Sequence, residues 1–174
     1  QFLEAEVDQD ESFNALVTIP EPFEGPARFT VVWTDVPAAP NAETALVNDL
    51  DLTVTGNGDT YYPWTLDPDN PDQPAVRTQA DHINNIEQVV IDDPQPGTYT
   101  VTVEGYNVPE GPQAFAIASA GAPINTQIAF PSGRPNPVQP GSETMLTAAV
   151  KSTGEALVSG SVTLTVRLAS EDAF

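Results

Sequence analysis

Apolar side chains recur at every second position in short runs through the first two thirds of the chain. Phe13, Ala15, Val17 and Ile19 mark one such run, as do Phe29, Val31 and Trp33, then Leu50, Leu52 and Val54, then Val89 and Ile91 in step with Glu87, then Tyr99, Val101 and Val103. A two-residue period sends successive side chains to opposite faces of a pleated strand, so each run predicts a β-strand with one face toward a core. Turn signals separate the runs: Pro20-Glu21-Pro22, Glu24-Gly25-Pro26, Gly56-Asn57-Gly58-Asp59 and Pro94-Gln95-Pro96-Gly97. A further strand is expected over Ala114 to Ser119. No segment sustains a 3.6-residue period, so the reading is all-β with helices scarce. From Pro63 to about Asn85 the alternation lapses. A connection of that length predicts a segment that is functional or locally braced.

At Gly121-Ala122-Pro123 the pattern restarts. Asn125 to Phe130 reads as a short strand, Pro131 to Gly141 as a Pro/Gly-rich connection, and Thr144 to Val150 as a partner for Ser161 to Leu168. Three strands do not close a sandwich, which takes about seven. The expected organisation is a β-domain over residues 1–121 and a small, partial β-sandwich module over 122–174, incomplete or packed on the first.

Charge divides the chain at the same place. Residues 1–121 hold 21 acidic and two basic side chains, whereas 122–174 hold four and three, out of a net charge of −20. Such acidity opposes phosphate backbones and anionic lipid, which argues against nucleic-acid and membrane partners. Its simplest role is solubility in a saline or calcium-rich medium. With no Cys there is neither a disulfide framework nor a thiolate metal site. No apolar run reaches membrane-spanning length, and Gln1 to Asp10 lacks signal-peptide order, so the chain reads as mature or excised, with Phe174 not expected to be a natural end.

One run departs from the usual strand pattern. In Leu46 to Thr55, Asn48, Leu50, Leu52 and Val54 share one face, while Val47, Asp49, Asp51 and Thr53 share the other. Two carboxylates about 7 Å apart along a strand either repel in water or are held by a cation. Hard cations take six to eight oxygen ligands from carboxylates, amide carbonyls and backbone. Asn48, Asp49, Asp51, Asp81, Asn84, Asn85 and Glu87 supply that chemistry from two separated blocks, and the ligand set adopted is Asn48, Asp49, Asp51, Asn84, Asn85 and Glu87. A metal-free network, with Asp49 and Asn85 capping loop amides, is the competing reading. A second acidic run, Asp67 to Asp72, fails the EF-hand pattern: Asp72 stands where Gly is needed, Thr78 where Glu is needed, and Pro68 and Pro71 interrupt it. It reads as a solvated loop.

Several of these blocks, taken in order, resemble a known family. They are Val31-Val32-Trp33-Thr34-Asp35, Leu46 to Leu52, Asn84-Asn85-Ile86-Glu87-Gln88-Val89, Pro96 to Val101 and Tyr106-Asn107-Val108-Pro109. Together they are similar to the β-barrel that follows the catalytic domain in secreted bacterial subtilisin-like serine proteases. The likeness covers Ser12 to Ala120. It implies a jelly-roll barrel related to the P domain of kexin-type proteases, calcium bound in or near it, an extracellular setting, and the protease catalytic domain as partner. Residues 122–174 resemble the opening strands of an immunoglobulin-like or fibronectin-like module.

The catalytic machinery of that family is a different matter. A Ser-His-Asp triad needs an imidazole oriented between nucleophile and carboxylate. The single histidine, His82, sits beside Asp81, and no Ser lies in a nucleophile-type setting, so His82 reads as a loop residue and no catalytic residue is assigned. The expected function is a non-catalytic accessory domain, a monomer, that stabilises the catalytic domain and shapes access of protein substrate. The alternative is a carbohydrate-binding or adhesion module. It draws on Trp64 with Tyr61 and Tyr62 as an aromatic platform for polysaccharide, although Trp64 serves equally to pin the long loop.

Overall fold

The computed structural model describes residues 2–120, 124–129 and 149–152, and every regular element among them is a β-strand. The strands are β1 (Phe2–Val7), β2 (Ser12–Ile19), β3 (Ala27–Trp33), β4 (Asp49–Gly56), β5 (Asp59–Tyr61), β6 (Ile86–Ile91), β7 (Gly97–Asn107), β8 (Gln113–Ala120), β9 (Ile124–Ala129) and β10 (Ala149–Ser152). They form two antiparallel sheets in a sandwich, ordered β1-β8-β3-β6 and β10-β9-β2-β7-β4-β5.

The alternation read from the sequence becomes the core. Ala15, Val17, Phe29, Val31, Leu50, Leu52, Val54, Val89, Tyr99, Val101, Val103 and Ile117 are wholly buried between the sheets. Sheets stacked face to face interdigitate in this way, and each fully buried large aliphatic side chain contributes roughly 1.5–3 kcal/mol. Phe13 and Phe115 meet edge to face at 5.6 Å. Trp33 is buried as its period predicts, and its Nε1 donates to the Asn48 carbonyl at 2.9 Å. Asn57 and Gly58, both at positive φ, make the β4–β5 turn. The preceding Gly56 lies so close to the Tyr99 ring that a Cβ there would overlap it.

The long connection after β5 is braced. Thr65 and Val76 exchange backbone hydrogen bonds, and Trp64 N donates to the Gln88 carbonyl on β6. The Arg77 guanidinium lies 4.4 Å over the Trp64 ring, donates to the Val90 carbonyl and pairs with Asp92 at 2.8 Å. Asp67 accepts from Asp69 N and from Asn70 Nδ2, closing an exposed turn on itself.

Beyond residue 121, β9 pairs antiparallel with β2 and β10 pairs with β9, so both belong to the six-stranded sheet, at the edge beside β2. The expected connection at Pro131 to Gly141 and the strand at Ser161 to Leu168 lie outside the described residues.

Candidate metal centre

β4 carries Asp49 and Asp51 on the face opposite Leu50 and Leu52, with Glu104 of β7 across from Asp51. The ladder shifts register between Asp49 and Leu50, leaving Tyr106 as an extra residue on β7. Bulges of this kind re-aim side chains beside functional sites. The Tyr106 ring stacks on the imidazole of His82, with centroids 4.3 Å apart and planes 24° apart.

His82 reaches this face because the loop before β6 is tied at both ends. Asp81, itself buried, accepts from Ile83 N at 3.0 Å and from Asn84 Nδ2 at 2.7 Å, which folds the loop around its own carboxylate. Asn85 then extends the β3–β6 ladder: Trp33 N donates to its carbonyl, and its Nδ2 donates to the Trp33 carbonyl. Between these anchors His82 Nδ1 lies 2.9 Å from Asp49 Oδ2 and 3.3 Å from Asp51 Oδ1. Asp49, Asp51 and His82 each bring one donor atom within 4.8 Å of the others.

Acid is in excess over base at this corner. Burial raises the pKa of Asp49 above the ordinary carboxylate range, against the opposing pull of His82. Burial lifts Asp51 to about 6, again against His82, with Asp49, Glu104 and Asp81 adding repulsion. Glu87, at the inward face of β6, is pushed up to about 9, first by burial and then by Asp51, Asp81 and Asp49. Its Oε2 accepts from Leu52 N at 2.8 Å, a part of the β4 edge that the short β5 does not cover. Asp49 Oδ1, Asp51 Oδ1 and Glu87 Oε1 are buried with no hydrogen-bond partner. Buried carboxylate oxygens in that state either hold a proton or face a cation.

The six residues expected as ligands divide into separate roles. Asp49 and Asp51 come together in the cluster. Glu87 lies close enough to feel both charges, but from the core side as the tie to β4. Asn48 spends its amide elsewhere: Nδ2 donates to the Glu110 carbonyl and to Gln113 Oε1, and Oδ1 accepts from Glu110 N. Asn85 braces β3, and Asn84 is exposed with its Nδ2 on Asp81. The residue that sequence reasoning passed over is His82. It does lie in a loop, as expected, but its ring is a member of the acidic cluster. Its place directly before the Asn84-Asn85-Ile86-Glu87 block, which topology carries to β4, was the available signal.

Asp35 completes the surroundings. Its Oδ1 accepts from Val36 N and Asn48 N, and its Oδ2 accepts from Val47 N at 2.7 Å, so it fixes the entry to β4. Trp64 remains about two-fifths exposed, but the Arg77 guanidinium occupies one face of its ring.

No family model matches the chain. Among curated proteins, the serine protease/ABC transporter B family protein tagB of Dictyostelium discoideum is 37% identical over 93 residues, which is 53% of this chain and 5% of that protein. The serine protease/ABC transporter B family protein tagD of the same organism is 32% identical over 98 residues, again 53% of this chain and 5% of the relative. The matched stretch is thus a small part of either relative, and about half of this all-β chain is similar to part of proteins named serine protease/ABC transporter B family proteins.

Proposed function

We propose that the chain is a non-catalytic accessory β-domain of a secreted subtilisin-like serine protease, one that packs on the catalytic domain, stabilises it and shapes access of protein substrate. The observation that carries this reading is the similarity to stretches of two proteins named serine proteases, in a chain whose motif blocks follow the order of protease-associated barrels. The strand orders β1-β8-β3-β6 and β2-β7-β4-β5 support a jelly roll, two Greek keys packed face to face. His82 supports a non-catalytic role: both of its short contacts are to carboxylates, where a triad imidazole would face a nucleophile.

A divalent cation is part of this reading. The resemblance implies calcium, and the oxygens of Asp49 and Asp51 suit it. A cation bound only by the native state stabilises the fold by mass action. The rival reading, a carbohydrate-binding or adhesion module, loses support from the Arg77 guanidinium stacked on Trp64.

The test has two parts. The isolated chain is expected to leave denatured protein substrates uncleaved, with or without divalent cations. Fused to the catalytic domain of its own gene, it is expected to lengthen that domain's half-life at elevated temperature by several-fold. An open reading frame without a Ser-His-Asp domain, or equal half-lives with and without the fusion, would sink the proposal.

A further inference from the structure

The geometry points to a first-row transition-metal site, of the zinc class, built from Asp49, Asp51 and the Nδ1 nitrogen of His82. It rests on the reading of this corner as a cation seat and goes further by assigning the metal from the donor set. Calcium is hard and takes oxygen ligands almost without exception, whereas zinc and its neighbours take imidazole nitrogen and carboxylate oxygen together. Two carboxylates and one imidazole, each with a donor atom within 4.8 Å of the others, match the three-protein-ligand sites that leave a position for water.

Two further observations point to a ligand here. The first is the unpaired oxygen. The Asp49 side chain is only 9% exposed, its carboxylate belongs to the cluster, and its Oδ1 has no hydrogen-bond partner. Asp51 Oδ1, 3.3 Å from Nδ1, is buried without a hydrogen-bond partner as well, since one ring nitrogen carries at most one proton and the shorter contact is to Asp49 Oδ2. Replacing that proton by a metal ion would serve both carboxylates. The second is preorganisation. The ring of His82 is held against Tyr106, and the backbone of its loop is held by Asp81 through Ile83 N and Asn84 Nδ2. Supporting contacts of this kind orient metal-ligating histidines and govern affinity. The His82 side chain is 43% exposed, so the site has an entry path.

The test uses the full 174-residue chain without a histidine tag, stripped of metal and titrated separately with Zn²⁺, Co²⁺ and Ca²⁺. Zinc is expected to bind at least about tenfold more tightly than calcium, and His82→Ala to weaken zinc by about tenfold or more while leaving calcium unchanged. Bound cobalt is expected to show visible d–d absorption that changes on His82→Ala, a signature that loss of ring packing alone would not produce. Asp51→Asn serves as a second variant and is expected to weaken zinc without altering the His82–Tyr106 stack. Calcium binding as tight as zinc, with zinc indifferent to His82→Ala, overturns the metal assignment and leaves the cation seat standing. No binding of any of the three metals overturns both.

Discussion

With divalent cations chelated, the Glu87→Gln variant is expected to melt several degrees above the wild-type chain at pH 8 and close to it near pH 4.5. Glu87 is 1% exposed and titrates at about 9 in the folded chain, against 4.5 for the free side chain. The sign follows from proton counting. Between those two pKa values the unfolded chain has released the proton and the native chain keeps it, so the native state binds more protons and stability falls as pH rises. Each pH unit in that window costs up to about 1.4 kcal/mol, and roughly 2–4 kcal/mol is expected between pH 5 and pH 8. The raised pKa values of Asp49 and Asp51 act in the same direction over their own ranges. Glutamine keeps an acceptor for Leu52 N and cannot ionise, so it removes the Glu87 share of the slope. Glu87→Ala is a different case. It orphans the Leu52 amide and leaves a cavity, and is expected to cost about 2–4 kcal/mol near pH 4.5 and correspondingly less at pH 8, because it too abolishes the Glu87 ionisation. Circular-dichroism melts in chelator at the two pH values decide the matter. Parallel pH curves for wild type and Glu87→Gln would remove Glu87 as the source.

The second large effect is expected at Asn48. Its side chain is completely buried and makes three hydrogen bonds, to the Glu110 carbonyl, to Gln113 Oε1 and from Glu110 N. Asn48→Ala strands Glu110 N and Gln113 Oε1 at once. Leaving the buried Gln113 Oε1 unpaired costs about 1–3 kcal/mol, and the part-buried Glu110 contacts and the space left by the amide add to it, so a loss of roughly 2–4 kcal/mol is expected. Asn48→Asp is expected to be worse, since both donated bonds become contacts between oxygens. Urea unfolding should show a lowered midpoint with an unchanged slope, the sign of altered stability without altered compactness. Metal affinity should stay near wild type in Asn48→Ala, which separates its bracing role from ligation. An unchanged midpoint would contradict this assignment.

Much of the sandwich was legible because one face of each strand is buried, which writes a two-residue period into the chain. Phe29, Val31 and Trp33 of β3 and Tyr99, Val101 and Val103 of β7 are buried as their alternation predicts. The expectation that the long loop is braced is met by the Thr65–Val76 bridge and by Arg77 over Trp64. The candidate site was legible only in part. Asp49 and Asp51 stand out because carboxylates on a strand are anomalous in the chain itself. Asn48, Asn84 and Asn85 carry the same oxygen chemistry, but their hydrogen bonds are made to Glu110, Gln113, Asp81 and Trp33, partners that composition and spacing do not reveal. His82 was passed over for a related reason. A loop residue's neighbours across the sheet depend on where Asp81 and Asn85 anchor it, and on the bulge that brings Tyr106 under its ring.

The most direct test of the cation seat is the melting temperature of the metal-stripped chain at pH 8, before and after a saturating divalent cation, with the Asp49→Asn/Asp51→Asn double variant alongside. A hundredfold excess over Kd adds about 2.7 kcal/mol to the native state, so the wild-type chain is expected to gain several degrees. The double variant is expected to gain none, and to melt at least as high as the metal-free wild type because two carboxylates are removed from a buried, acid-rich corner. A wild-type chain indifferent to every cation tried, or a double variant that responds equally, would contradict a metal centre at Asp49, Asp51 and His82.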